Sequence, residues 1–143
     1  MIGARQGDNR IQALLEELEL KYDIDSDGDF RVGFELENDR AQLAFIRSET
    51  TQFGKFDIRE IFSVAKISEG PLDAELANAL LIYNAHLKLG SWRVIRQEDD
   101  RCIVAFAVQI AANTDATSLY TALRLVIDTA DHIERKLDEE DKF

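Results

Sequence analysis

The run Cys102-Ile103-Val104-Ala105-Phe106-Ala107-Val108 has no polar residue on either alternation. Successive side chains of a strand point to opposite faces. Cys102, Val104, Phe106, Val108 and Ile110 would therefore face one way, and Ile103, Ala105 and Ala107 the other, with Gln109 the first polar interruption. A strand that is apolar on both sides belongs inside a sheet. The run predicts a central strand covered on both faces, around which the rest of the chain is arranged. It is also the longest unbroken apolar run, and its seven residues fall far short of the ~20 that a membrane-spanning helix needs.

Elsewhere the hydrophobic period alternates between helical and extended. Ile11, Leu14, Leu15, Leu18 and Tyr22 recur at steps of three and four behind a cap at Asp8 or Asn9, which predicts an amphipathic first helix. The period then becomes two. Phe30, Val32, Phe34 and Leu36 alternate with Arg31, Glu35 and Glu37, and Leu43 and Phe45 follow the turn Glu37-Asn38-Asp39. Three strands, roughly 29–37, 40–49 and 57–67, fit this pattern. Glu69-Gly70-Pro71 ends it, and Pro71 suits the start of a second helix. Leu76, Leu80, Tyr83 and Leu87 make one stripe of that helix, and Ala79, Ile82, His86 and Leu89 its neighbour, with Gly90 as the left-handed stop. So wide an apolar arc predicts burial on more than one side.

A hairpin follows, 92–97 with 102–111, around Glu98-Asp99-Asp100-Arg101. A last helix from about Ala116 carries Leu119, Leu123, Val126, Ala130, Ile133 and Leu137. The order αβββαββα, with hairpins inside each strand group, predicts a two-layer α+β fold: three helices on a mainly antiparallel five-stranded sheet. The single domain would occupy 9–137. Segments 1–8 and 138–143 are expected to be flexible, the first for its small and polar composition, the second because Asp138, Glu139, Glu140 and Asp141 oppose the helix dipole.

At 143 residues one domain with a real core is expected, burying roughly 70% of the extended surface. The formal charge is −11, from 17 Lys and Arg against 28 Asp and Glu. Phosphate binding needs clustered cations, so nucleic acid and anionic membrane are excluded as expected partners. Acidity is concentrated between Glu16 and Asp39, where ten carboxylates face only Lys21 and Arg31. Cys102 is the single cysteine, so no internal disulfide can form, and the first nine residues lack a secretion-type apolar stretch. A cytoplasmic location is expected.

The sequence Asp23-Ile24-Asp25-Ser26-Asp27-Gly28-Asp29 opens like a calcium loop. Its twelfth position is Phe34, where a bidentate Glu should stand, and a strand replaces the exiting helix. A hairpin turn at Asp27-Gly28 is the competing reading, with weak cation binding by Asp23, Asp25 and Asp27 as the alternative. His86 and His132 stand 46 residues apart without further ligands nearby, and Cys102 is expected to point inward as an inert thiol. Ser48, Thr50 and Thr51 have no histidine within a few residues. No catalytic, cofactor-binding or metal residues are therefore assigned. Phe30, Phe34, Phe45, Phe53, Phe56, Phe62 and Trp92 are expected mostly to alternate into the core.

The hairpin spanning 22–32 with Asp27-Gly28, Asn84 with Gly90-Ser91-Trp92, and the hairpin 92–111 before a long last helix resemble the YbjN-like family, whose fold is similar to type III secretion chaperones. The resemblance spans 9–137 and implies a non-enzymatic, chaperone-like or regulatory module that forms a homodimer and binds segments of other proteins. It carries no site motif. The alternative from a different class is a ligand- or cation-responsive regulator using the acidic turn 23–29.

Overall fold

A computed structural model describes residues 7–140; the expected flexibility of 1–6 and 141–143 lies outside the described residues. The described residues form an α+β fold, three helices and a seven-stranded antiparallel sheet in the order αβββββαββα. The helices are α1 (Asn9–Glu17), α2 (Ala74–Asn84) and α3 (Ala116–Glu140). The strands are β1 (Tyr22–Ile24), β2 (Phe30–Glu35), β3 (Ala41–Ile46), β4 (Thr51–Phe53), β5 (Phe56–Ser68), β6 (Ser91–Arg96) and β7 (Cys102–Ala111). Across the sheet they run β1-β2-β3-β5-β7-β6, and β4 pairs with β5 beyond the end of β3.

Seven strands replace the expected five because two three-residue strands are too short to show a period. One of them corrects the first helix as well. Glu19 adopts a left-handed φ of 58°, which stops α1, so Tyr22 pairs with Val32 in β1 instead of extending the helical stripe. The second helix is also shorter than its apolar pattern. Asp73 caps its start by accepting from the Leu76 amide, and it stops at Asn84, so Pro71 and Gly90 lie outside it. Gly90 has another role. A Cβ there would stand 2.7 Å from the Phe106 ring and 2.9 Å from the Ala107 carbonyl, so only glycine lets the chain enter β6 against β7.

Turn chemistry fixes the registers. Asn38 and Asp39 both adopt positive φ, 61° and 60°, the pattern of a two-residue hairpin turn whose twist matches its strands. Arg40 then secures this turn to α3 by donating to Asp131 at 2.9 Å and Glu134 at 2.8 Å. Where β3 and β5 diverge, buried Gln42 bridges them, donating to the Ser63 hydroxyl and the Val64 carbonyl.

The core occupies one face of the sheet. Phe30, Val32, Ile46, Ile61, Val104, Phe106 and Val108 pack there against Ile11 and Leu15 of α1 and the buried stripe of α3, which includes Leu119, Leu123 and Ile127. Leu76 and Leu80 of α2 join the same cluster beside Trp92. No helix covers the other face among the described residues. Ala105 and Ala107 of β7 are nonetheless buried, because they are small and sit in register with Phe62, Val64, Arg93 and Ser91 on the flanking strands. The two-sided cover expected for β7 is therefore supplied on one side by helices and on the other by its neighbours' side chains.

The aromatic residues divide the same way. Phe30, Phe34 and Trp92 enter the core, whereas Phe45 and Phe62 lie on the open face and Phe53 and Phe56 are exposed at the β4–β5 turn. The expectation that most of them alternate into the core is corrected: a period of two places residues on faces without saying which face is covered.

Candidate interaction surfaces

The acidic turn folds as a turn. Asp25 Oδ1 accepts from the backbone N–H of Asp27 at 2.9 Å and of Asp29 at 3.0 Å, and Gly28 takes φ 86°. Asp23 faces away and accepts from Arg31 Nε at 2.6 Å. Asp29 is buried, accepting from the Ser48 amide at 3.0 Å with Arg47 at 3.6 Å. Carboxylate oxygens of Asp25, Asp27 and Asp29 come within 4.8 Å of one another, so Asp29, not Asp23, completes the trio. Two of the three are already engaged in holding the backbone. Phe34, at the position a calcium loop gives to glutamate, is buried in the core.

The other candidate residues are dispersed. His86 is exposed in the turn after α2, and His132 is exposed on α3. Cys102 is buried at the start of β7. The Ser48 hydroxyl donates to the Gly28 carbonyl and accepts from the Asp8 amide, which commits it to joining the turn to the N-terminus of α1. Thr51 is exposed in β4. Sequence reasoning missed Arg59, which is 0% exposed and donates to the Arg47, Ser48 and Ala112 carbonyls and to Asp8. Its only signal was a charged residue on the inward alternation of β5. Burial pushes the Asp8 carboxyl up, but hydrogen bonds from Arg10 and Arg59 outweigh this and hold it well below the usual carboxylate range.

Besides Phe53 and Phe56 at the β4–β5 turn, two surfaces keep large apolar side chains in water. The first is the outward side of α2, where Leu81 and Ile82 are 66% and 62% exposed, together with Leu89 in the following turn. Burial of α2 on more than one side is therefore not met among the described residues. Beside it runs the sheet edge β6, whose Val94 is exposed. The second is the open sheet face. Leu43 and Phe45 of β3, Phe62, Val64 and Ile67 of β5, Ile103 of β7 and Ile95 of β6 share it by register. Phe45 and Phe62 stack with centroids 5.0 Å apart and planes 12° from parallel.

The charged strand residues that register places on the open face are Asp23, Arg31, Glu35, Glu60 and Arg93. Four of them pair with each other, Arg31 with Asp23 and Arg93 with Glu60, and Gln109 donates to Glu60 as well. No described helix is long and apolar enough to cross a membrane. No protein-family model matches the chain, and no curated protein matches it.

Proposed function

We propose that this protein is a non-enzymatic interaction module, chaperone-like or regulatory in role, that binds segments of other proteins as a homodimer. One observation carries the reading: large apolar side chains stand in water on the outward side of α2 and across the open sheet face. Contiguous apolar surface on a soluble fold marks a contact site, since leaving it wet costs free energy that association recovers. An extended client segment suits the α2–β6 side, where a sheet edge and exposed leucine and isoleucine residues adjoin. The family resemblance carried by Asn84, Gly90, Ser91 and Trp92 agrees with this role.

The test is sedimentation of the purified chain together with partner capture from native cytoplasm, using Ile82→Glu as the comparison. A self-associating protein whose partners are lost in the variant supports the role. A strict monomer that retains nothing ends it. A second reading, a cation-responsive regulator, has in its favour the approach of Asp25, Asp27 and Asp29 to within 4.8 Å. Thermal denaturation across a metal panel separates the two, because a ligand of the native state alone raises its melting temperature.

A further inference from the structure

We infer that the open sheet face is the surface on which a second copy of this chain sits, so that two sheets stack face to face about a two-fold axis. The inference rests on the interaction role proposed above and assigns one partner to one surface. Charge identifies that partner. The chain carries −11 overall, yet two arginines and three carboxylates on the strands of this face sum to −1, leaving −10 for the rest of the chain. Two copies approaching through any acidic side would repel. Through this face they meet side chains that are apolar or neutralised in the internal pairs Arg31–Asp23 and Arg93–Glu60, with Glu35 the one charged strand residue of the face outside them. A basic protein would instead be drawn to the helices and turns that hold the remaining carboxylates.

Shape agrees with charge. Leu43, Phe45, Phe62 and Val64 stand side by side over β3 and β5, and Phe62, Val64, Ser91 and Arg93 flank and bury the small Ala105 and Ala107 of β7. An isologous interface requires one patch to complement itself. A two-fold axis through this strip places the Leu43, Phe45, Phe62 and Val64 side chains of each copy against those of the other. Six strands at ~4.8 Å spacing and about five residues of strand length give roughly 400 Å² in projection, which side-chain relief enlarges toward the ~800 Å² per partner of a standard interface. Stacked sheets lie ~10 Å apart, a separation that outward Phe and Leu side chains fill from both sides.

The experiment is sedimentation equilibrium of the full chain and of Phe62→Glu, Leu43→Asp and Leu81→Glu, each checked by circular dichroism. Phe62 and Leu43 point away from the helices; Leu43→Asp, at a side chain 48% exposed, serves if Glu at the half-buried Phe62 prevents folding. The expected result is a dimer weakened at least about tenfold by either sheet-face substitution and unchanged by Leu81→Glu. A dimer broken only by Leu81→Glu overturns this assignment and leaves self-association standing. A monomeric wild type that still binds a client overturns it too, while the interaction role survives. A monomer without partners removes both.

Discussion

Arg59, with no exposed surface, donates from one guanidinium nitrogen to Asp8 Oδ2 at 2.9 Å, joining the middle of the sheet to the residue that caps α1. The same arginine holds the carbonyls of Arg47, Ser48 and Ala112. Asp8 is its ion-pair partner, so Asp8→Ala strands a buried cation and removes a helix cap. Breaking such a pair costs about 3 kcal/mol, and the cap about 1 kcal/mol more. Asp8→Asn keeps a capping oxygen and is expected to lose less. Urea denaturation of the two variants measures the difference.

The same pair sets an acid limit. Arginine hydrogen bonds hold the folded Asp8 carboxyl far below its ordinary value of 3.8. A carboxyl depressed by folding adds stability that is fully present above its unfolded pKa and lost as pH falls from there toward the folded pKa. Wild-type stability should thus drop more steeply below about pH 4 than that of Asp8→Asn, with the two curves converging. Melting temperatures from pH 7 down to pH 2 follow this directly, and parallel curves would show that the pair contributes nothing.

Asn84 acts as a substitute strand at the sheet edge. Its Oδ1 accepts from the Trp92 amide at 2.7 Å and its Nδ2 donates to the Trp92 carbonyl at 3.2 Å, so the outward backbone groups of a buried residue are satisfied by α2. Asn84→Leu leaves both without partners, at a cost of about 2 kcal/mol. Hydrogen exchange should show the Trp92 amide losing protection while β5 and β7 amides keep theirs.

In the turn 25–29, Asp25 accepts two backbone amides, so Asp25→Ala should destabilise the fold by about 1 kcal/mol, and by the same amount in calcium and in chelator. A loss seen only with calcium present would mean that the carboxylate trio holds the ion in the native state.

The sequence made the sheet's inner face legible because Phe30, Val32, Phe34, Val104, Phe106 and Val108 keep a strict period of two and all enter the core. The stripe of α3 was equally plain, from Leu119 through Ile133. Tyr22 continues the helical step of the first helix and also opens the hairpin 22–32, and only the left-handed Glu19 decides for the hairpin. The length of α2 was overestimated because apolar residues beyond Asn84 continue its spacing while the chain turns toward β6. The open face was only partly legible. Phe45 and Phe62 are as apolar as core residues, and what distinguishes them is that all three helices pack on the opposite side, a tertiary fact. Arg59 shows in the sequence only as a charge on the inward alternation of β5, since its Asp8 and Ala112 partners lie far away along the chain.

The central claim is that apolar surface this chain cannot cover alone is covered by another chain, and first by a copy of itself. Sedimentation equilibrium of the unmodified protein over micromolar to millimolar concentration tests it most directly. A species of twice the 16.3 kDa chain mass, dissociating on dilution, is the result predicted. A single 16.3 kDa species across the whole range, with no partner recovered, would contradict it.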